Sequence, residues 1–293
     1  MIELPIKRGI NYHTQDYALT DELATEKYFK ITKEAGFDHV RLPVRGAHLE
    51  ERGNEYLDHV REVCETSLKC GLIPIMDLHW YRDMNKDPLA HKDNFLDLWE
   101  KIAAYWADMD ERVIFEICNE PTQNYNSTLL NEVQNEAIRR IRKSNPTRLL
   151  AAACAHYNTI ENLHFLELPE DDKNIFVTIH DYTPMALTHQ GMGNRPVTDY
   201  QWDSQQMRDY ITARFDVAKA WSVLNDRAIH LGEFGVNFNI AMQQRVSWTA
   251  FMVKLCEERG FAFSYWEFWK GFGAYNRKDE CWHHELLKAL IQE

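Results

Sequence analysis

Two glutamates follow short apolar runs and could act together as an acid and a nucleophile. Glu120 ends the run Val-Ile-Phe-Glu-Ile-Cys-Asn-Glu, which Pro121 stops because proline cannot continue a central strand. Glu233 ends a second run, inside Gly-Glu-Phe-Gly. When two carboxyl groups face one cleft, one can protonate a leaving oxygen while the other attacks a sugar carbon. Because like charges held close together raise the pKa of one group, that group can remain a proton donor near neutral pH.

Other polar and aromatic residues stand at the ends of apolar runs in the same way, and we treat them as candidate binding residues. They are Arg41, His79, Trp80, Asn119, His180, Tyr182 and Trp266. An arginine beside a carboxylate keeps that carboxylate ionised, as a nucleophile requires. A histidine and a tyrosine can orient both carboxyl groups through hydrogen bonds.

Eight apolar runs predict β-strands, and stretches with apolar residues at helical spacing lie between them. The predicted strands are Arg8–Tyr12, Asp38–Val44, Leu72–Trp80, Val113–Pro121, Arg148–Ala155, Ile175–Tyr182, Ala228–Gly235 and Phe261–Phe268. The predicted helices run from Thr20 or Asp21 to Glu34, and over Glu55–Lys69, Asp93–Ala107, Leu129–Lys143, Thr159–Leu166, Ser204–Val223, Gln243–Arg259 and His284–Gln292. A long loop is predicted at Thr183–Gln201.

This alternation predicts a parallel sheet, and eight strand–helix units in 293 residues fit a closed (β/α)8 TIM barrel of the α/β class. We therefore assign residues 1–293 to a single barrel domain. An open doubly wound sheet is the competing fold, but it usually has a glycine-rich turn after its first strand, and Asn11-Tyr12-His13-Thr14 contains no glycine. The carboxyl ends of all barrel strands open at one mouth, where the candidate residues would meet.

Residues two apart on a strand share a face, which separates the candidates from the acids beside them. Glu116 is expected inside the barrel, paired with an arginine or a hydroxyl group, and Asp77 is expected to lie similarly. Asn119 should point away from Glu120 unless the end of the strand is twisted.

The composition argues against some classes of partner. With 33 basic and 45 acidic residues the net charge is −12, whereas nucleic-acid and anionic-membrane surfaces need clustered Lys and Arg. No apolar run approaches the ~18 residues of a membrane span, and the first residues do not form a basic segment followed by an apolar one. We therefore expect a protein that acts inside the cell, or one whose signal segment has been removed.

Cysteine and tryptophan are interpreted as structural residues. None of Cys64, Cys70, Cys118, Cys154, Cys256 and Cys281 forms a Cys-x-x-Cys pair, so we predict buried free thiols rather than a zinc site or a disulfide framework. Trp99 and Trp106 lie at helical spacing and are expected to pack in the core.

Six short motifs on successive predicted strands resemble the family 5 glycoside hydrolases, which are retaining (β/α)8 glycosidases. The motifs are Arg41-Leu-Pro-Val, Asp77-Leu-His79, Asn119-Glu-Pro, His180-Asp-Tyr182, Gly232-Glu-Phe-Gly and Tyr265-Trp266-Glu-Phe. Asn-Glu-Pro alone is a weak signal, but all six in this order are strong, and the resemblance covers nearly the whole chain.

The resemblance implies a role for each catalytic candidate. Glu120 would be the acid/base and Glu233 the nucleophile. Arg41 and Tyr182 would hold the nucleophile, and His180 would lie near the acid/base.

The resemblance also implies how the sugar is bound. Asn119 would bind the 2-hydroxyl group, His79 would contact the same sugar, and Trp266 would form the platform beneath it. Many endoglucanases of the family have two histidines after the third strand, whereas this chain has His79 and Trp80, so Trp80 could stack on a sugar in place of the second imidazole.

The expected function is a retaining endo-β-1,4-glucanase that acts on a β-glucan or a related polysaccharide or oligosaccharide through a glycosyl-enzyme intermediate. The carboxyl carbons of Glu120 and Glu233 are then expected about 5 Å apart, whereas ~9 Å would indicate inversion. No metal and no organic cofactor is implied, neither nucleic acid nor a membrane is expected as a partner, and a monomer is expected.

Three alternatives remain open at this point. A β-mannanase, or a mixed-linkage or xyloglucan enzyme, would differ from a cellulase in its loops. A metal-dependent hydrolase on the same barrel could use His79, His180 and the carboxylates. A binding domain that has lost catalysis would not need both Glu120 and Glu233.

Overall fold

Eight parallel strands form the sheet of this protein and close it into a barrel. The computed structural model describes residues 1–12, 24–81 and 83–291. The strands are β1 (Arg8–Asn11), β2 (His39–Arg45), β3 (Ile73–Trp80), β4 (Ile114–Glu116), β5 (Leu150–Ala152), β6 (Ile175–His180), β7 (Ile229–Glu233) and β8 (Ala262–Tyr265). Each strand pairs with the next in chain order, and β8 pairs with β1. The predicted (β/α)8 barrel is confirmed.

Helices connect the strands. They span Glu26–Glu34, Gly46–Arg52, Asn54–Lys69, Pro88–Tyr105, Ser127–Arg142, Met185–Thr188, Gln205–Asn225, Met242–Arg259 and His284–Ile291. After β5 come a tight turn at Ala155–Asn158 and a 3-10 helix at Ile160–Phe165. An antiparallel hairpin of β9 (Tyr275–Asn276) and β10 (Cys281–Trp282) follows β8.

Polar residues begin several of these helices by accepting hydrogen bonds from their first turns. Asp87 accepts from Ala90 N at 3.1 Å, and Pro88 occupies the first helical position, where its missing N–H costs nothing. Asn126 and Ser204 cap the helices that follow them in the same way. These caps explain why the chain turns from loop to helix at these points.

Some of the predicted boundaries differ from the structure. Neither the helix Gly46–Arg52 nor the helix Met185–Thr188, inside the predicted loop Thr183–Gln201, was expected, because so few residues show no helical period. The β9–β10 hairpin was not predicted either. The predicted start of the first helix, at Thr20 or Asp21, lies outside the described residues, as does Gln292 at the end of the last.

The fourth strand is shorter than predicted. Its regular part ends at Glu116, not at the end of Val113–Pro121. Even so, Ile117 N donates to a β5 carbonyl at 3.1 Å, and Asn119 N donates to a β3 carbonyl at 3.2 Å. The chain therefore stays attached to the barrel wall until just before Glu120, which lies in the loop beyond the strand.

Side chains that point into the barrel form layers. The lowest layer is apolar and consists of Ile6, Ile75, Ile114, Ala151, Phe176, Ala228 and Ala262. Above it, the Nε2 atoms of His39 and His230 both lie 2.9 Å from Ser264 Oγ. Arg41, two residues beyond His39 and so on the same face, begins the polar layer of the mouth.

The tryptophan prediction is confirmed, and the cysteine prediction is partly wrong. Trp99 and Trp106 are fully buried, and Trp99 Nε1 donates to Ile117 O at 2.9 Å. All six cysteines are free thiols and four are buried, but Cys70 is half-buried and Cys281 is exposed because the β9–β10 hairpin presents it at the surface. No helix in the described part of the chain is long and apolar enough to cross a membrane.

Candidate active site

A fully buried arginine, Arg41 on β2, holds the polar side chains of the barrel mouth together. Its partners are three carboxylates and two amide oxygens, on Asp77, Glu116, Glu233, Asn11 and Asn119. Nε and Nη2 donate to the two Glu116 oxygens at 2.7 Å, and Nη1 donates to Glu233 Oε1 at 2.8 Å. One guanidinium group therefore links β1, β2, β3 and β7 with β4 and the loop beyond it. The expected pairing of Glu116 with an arginine inside the barrel is confirmed.

Glu233 reaches the mouth because the strand pairing is irregular beside it. Gly232, the residue before Glu233, packs against Thr178 and His180, since a Cβ at this position would lie 2.3 Å from Thr178 Oγ1. Strict alternation would then turn Glu233 away. Between Ile179 and His180 the register with β7 shifts, and His180 pairs with Glu233. The shift brings the carboxylate beside Arg41, and Tyr182 Oη donates to Glu233 Oε2 at 3.0 Å.

Glu120 reaches the mouth through an unusual backbone conformation. Its φ of 46° is in the left-handed region, which non-glycine residues seldom adopt. This supplies the twist that lets Asn119 and Glu120 both face the site. Asn85 stabilises the turn, because Nδ2 donates to Glu120 O at 3.4 Å and Oδ1 accepts from Thr122 N at 3.0 Å.

His180 lies between the two glutamates. Its Nδ1 atom is 2.9 Å from Glu120 Oε1 and 3.7 Å from Glu233 Oε2. One oxygen of each glutamate and a ring nitrogen of His180 all lie within 4.8 Å of one another. These two carboxylate oxygens are thus no more than 4.8 Å apart, which fits the ~5 Å spacing of retaining glycosidases better than the ~6.5–9.5 Å spacing of inverting ones.

A second group of side chains lies beside Arg41 on the β3 side. Asp77 Oδ2 is 2.6 Å from His79 Nδ1. The ring of Trp266 stacks on the ring of His79, with the two centroids 5.6 Å apart. Asn119 Oδ1 accepts a hydrogen bond from Arg41, and Asn119 Nδ2 lies 3.5 Å from His79 Nε2. The structure therefore brings His79, Asn119 and Trp266 to the mouth.

For Trp80, the structure describes the backbone but not the side chain. Its backbone ends β3 and pairs with Arg45 across a register shift. The side chain lies outside the part of the chain that the structure describes, and its predicted contact with a sugar stays a prediction.

The surroundings of the two glutamates differ in charge. Burial raises the pKa of Glu120 to about 7, although the positive charge on Arg41 and on a protonated His79 opposes this. A carboxyl group with this pKa keeps its proton in much of the population at neutral pH. Glu233, in direct contact with Arg41 and Tyr182, instead receives donors that stabilise a carboxylate.

The groups around the glutamates hold fixed protonation states. Burial and the negative charge of Glu233 raise the pKa of Tyr182 well above its usual value, so the phenol stays a donor. Burial lowers the pKa of His180 to about 4, so its imidazole is neutral at neutral pH. For Arg41, burial acts against the charge, but the nearby carboxylates raise its pKa well above the usual value.

A cavity of about 520 Å³ adjoins Glu120. Its walls include His180 and Tyr182, together with Tyr157 after β5 and Met185 at the start of the helix Met185–Thr188. The cavity is large enough for part of a ligand to extend from the two glutamates across the mouth.

Sequence reasoning missed several residues of this site. Asp77 and Glu116 were expected inside the barrel, with Glu116 beside an arginine or a hydroxyl group, but neither was predicted to belong to the site, where both contact Arg41. Asn11 and Asn85 were not considered. Counting every polar residue on the inward face of each strand, not only those at its tip, would have found Asn11, Asp77 and Glu116, but no sequence signal marks the loop residue Asn85.

Among the described residues, one group has the spacing of metal ligands, and it consists of Glu120, His180 and Glu233. Glu233, however, already accepts hydrogen bonds from Arg41 and Tyr182. A guanidinium 2.8 Å from a carboxylate oxygen repels a second cation at that oxygen. The donor set therefore suits a pair of acids better than it suits a metal ion.

Comparison with a family model and with curated proteins gives consistent similarities. The model described as cellulase (glycosyl hydrolase family 5) matches residues 6–271. Endoglucanase H of Acetivibrio thermocellus is 32% identical over 282 residues, which cover 92% of this chain but 30% of that protein. The chain thus spans less than a third of the length of this relative.

Solved structures are similar over nearly the full chain. One is described as a hyperthermophilic endo-beta-1,4-glucanase in complex with substrate, with 32% identity, a TM-score of 0.93, and coverage of 98% of this chain and 97% of that one. Cel5A of Thermotoga maritima, described in complex with mannotriose, has 34% identity, a TM-score of 0.91 and the same coverage.

Replacing Arg41 should destabilise the protein strongly. Arg41→Met leaves three buried carboxylates without their shared cation, and we expect the free energy of unfolding to fall by about 3–5 kcal/mol. Urea unfolding measures this loss. The matched control is Arg61→Met, which removes ion pairs with Asp108 and Glu65 at the protein surface and should cost less than about 1 kcal/mol. Equal losses in the two variants would contradict the role given to Arg41.

Glu120 should titrate far above an ordinary glutamate. We expect a midpoint at about pH 7 rather than near 4.5, followed by NMR in protein with ¹³C-labelled glutamate side chains. The signal is assigned by its loss in Glu120→Gln. Because the protonated form is the donor, any reaction that needs this proton should slow as the pH rises through about 7. A midpoint near 4.5 would show that burial does not hold the proton on Glu120.

Proposed function

Because this chain belongs to glycosyl hydrolase family 5, we propose that it is a retaining endo-β-1,4-glucanase that hydrolyses β-linked glucans by double displacement. One observation carries the proposal: two carboxyl groups in unlike electrostatic surroundings face each other at the ~5 Å spacing of retaining glycosidases. The names of the similar proteins, endoglucanase H and an endo-beta-1,4-glucanase with bound substrate, support the substrate class and the internal point of attack.

In the first step Glu233 is the nucleophile. Its oxygen forms a bond to the anomeric carbon while the bond from that carbon to the leaving oxygen breaks. Glu120 gives its proton to that oxygen and becomes a carboxylate. Arg41 and Tyr182 limit the rotation of the Glu233 side chain, since each donates to a different oxygen of the carboxylate.

In the second step Glu120 is the base. It removes a proton from water, the water oxygen attacks the anomeric carbon, and the bond from that carbon to Glu233 breaks. Glu120 regains its proton and Glu233 its negative charge. A pKa of about 7 suits both halves of this cycle, because the group must give and accept one proton near neutral pH.

The remaining candidates bind the sugars on either side of the cleaved bond. Asn119 would bind the 2-hydroxyl group of the sugar attacked by Glu233, with His79 beside that sugar and Trp266 beneath it. Trp80 would stack on a further sugar. The leaving sugar would enter the cavity of about 520 Å³ that adjoins Glu120. Since one chain supplies all of these residues, we expect the protein to act as a monomer.

β-Mannan is the second substrate to consider. The similar Cel5A of Thermotoga maritima is described with mannotriose in one structure and with cellobiose in another. Those ligands belong to that protein, but the 34% identity and the shared barrel make mannan a necessary part of any substrate test.

A panel of polysaccharides tests the proposed function. We expect hydrolysis of carboxymethylcellulose and lichenan, with viscosity falling faster than reducing ends appear, as internal cleavage requires. Xyloglucan and mannan should be cleaved more slowly. A clear preference for mannan would replace the assignment with a β-mannanase.

Two controls separate the remaining classes. Glu233→Gln is nearly the same size as the native side chain but lacks the nucleophilic oxygen charge, so its turnover should be lost. Chelators should leave native activity unchanged, whereas activity lost to a chelator and restored by a divalent cation would indicate a metal-dependent hydrolase. A native protein that binds β-glycans without any turnover would be a binding domain.

A further inference from the structure

The turn after β5 has a strained backbone. His156, Tyr157 and Asn158 have φ values of 54°, 62° and 58°, so three successive non-glycine residues are in the left-handed region. Each such residue costs free energy, and strain of this kind persists where the surrounding structure holds it in place. Asparagine is one of the residues that adopt this region most readily.

This turn contacts His180 and the residue that follows Glu120. Tyr157 N donates to Pro121 O at 3.1 Å, which ties the turn to the residue after Glu120. Asn158 is fully buried, and its Nδ2 lies 3.4 Å from His180 Nε2. Its Oδ1 accepts from Cys154 N at 3.1 Å. Because the backbone N–H requires the oxygen of the amide, the NH₂ group must be the end that faces His180.

The Nε2 edge of His180 is enclosed. On its other side lies Gly232, where a Cβ would be 3.0 Å from Nε2. The hydroxyl of Thr178 borders the same glycine but forms no hydrogen bond with any part of the chain that the structure describes. Among the described residues, the amide of Asn158 is therefore the polar side chain within hydrogen-bond distance of this nitrogen, and it offers a donor. A neutral imidazole carries one proton, and the nitrogen that accepts a hydrogen bond is the one without it.

We propose that Asn158 is a positioning residue that keeps the single proton of His180 on Nδ1, where it points at Glu120. Asn158 touches neither the substrate nor the reacting atoms. It acts through His180, whose Nδ1 lies 2.9 Å from Glu120 Oε1. The inference deepens the proposed function and rests on it for the role of Glu120.

The position of this proton affects the first chemical step. As the bond to the leaving oxygen breaks, the Glu120 proton moves to that oxygen and a carboxylate forms. An N–H at Nδ1 stabilises the new charge. With the proton on Nε2 instead, a lone pair would face Glu120, and Glu120 could bond to it only by donating the proton that the leaving group needs.

Because His180 is buried and neutral, the ring nitrogen that carries its single proton is defined over a wide pH range. The pKa of His180 is lowered to about 4, so the imidazole stays neutral through the range in which Glu120 titrates. A doubly protonated ring would not require a partner to choose its tautomer. The charged and titratable groups that face His180 are Glu120, Glu233, Glu116, Arg41 and His79.

The first measurement needs no variant other than one for assignment. In ¹⁵N-labelled protein at neutral pH, His180 should show a protonated Nδ1 and an unprotonated Nε2, with the signals identified by their loss in His180→Gln. A proton on Nε2 in the native protein would overturn the inference. This result does not depend on which polysaccharide, if any, is hydrolysed.

The second measurement uses Asn158→Asp, which suits the left-handed backbone and still accepts from Cys154 N. Once ionised, the carboxylate offers only acceptors to His180, so Nε2 must then carry a proton. If Nδ1 has lost its proton, it accepts a hydrogen bond from protonated Glu120 and so opposes the transfer of that proton to the leaving group. If the ring has become an imidazolium, it draws Glu120 into the ionised form. Acid catalysis is weakened in both cases.

The kinetic readout compares aryl β-cellobiosides with poor and good leaving groups. For Asn158→Asp, kcat/KM should fall roughly tenfold or more on the poor leaving group and stay within about threefold on the good one, since general acid catalysis contributes ~10²–10⁴-fold. Glu120→Gln should show the same pattern more strongly. Equal loss on both substrates would overturn the inference, as would an unchanged His180 spectrum in the variant at a pH where the new aspartate is ionised.

Asn145→Asp is the matched control. Asn145 is a buried asparagine before β5, and its Nδ2 donates to Ala103 O at 2.7 Å, far from the two glutamates in the fold. A buried carboxylate here should leave the ratio between the two substrates as in the native protein. If the native protein cleaves no β-glycoside at all, the proposed function fails, while the His180 spectrum still decides the inference about Asn158.

Discussion

The site depends on the ion pairs of Arg41 inside the barrel. A guanidinium group with no exposure to water is stable only when its charge is compensated and its donors are all used. Asp77, Glu116 and Glu233 compensate the charge, and the oxygens of Asn11 and Asn119 complete the hydrogen bonds. The same contacts hold the nucleophile candidate and, through Asp77, the ring of His79. Residues that bind substrate are thus positioned by an interaction that also holds the strands together.

The two glutamates differ because only one of them takes part in this network. Glu233 contacts Arg41 and Tyr182 directly, so donors surround its charge. Glu120 lies one loop further out, where burial raises its pKa and where its partner is a neutral histidine. Unlike surroundings separate an acid from a nucleophile even though both residues are glutamate. The turn after β5 extends this arrangement, since it contacts both His180 and the residue that follows Glu120.

Much of the fold and of the site follows from the sequence, for identifiable physical reasons. Strand and helix periodicity with short connections leads to a closed barrel, and the barrel brings the strand tips to one mouth. Backbone detail does not follow from periodicity. Neither the positive φ of Glu120 nor the register shift that turns Glu233 inward could be read from residue types. Glu116 was expected to pair with an arginine or a hydroxyl group, but the identity of that partner could not be read from the sequence, because Arg41 lies 75 positions away.

The most direct test of the account is the configuration of the first product. Proton NMR during hydrolysis of a reduced cello-oligosaccharide can observe the anomeric hydrogen of the newly formed reducing end before mutarotation. Two displacements, by Glu233 and then by water that Glu120 activates, predict that the β-anomer appears first and the α-anomer only later. Initial release of the α-anomer would mean that water attacks directly, and it would contradict a covalent intermediate on Glu233.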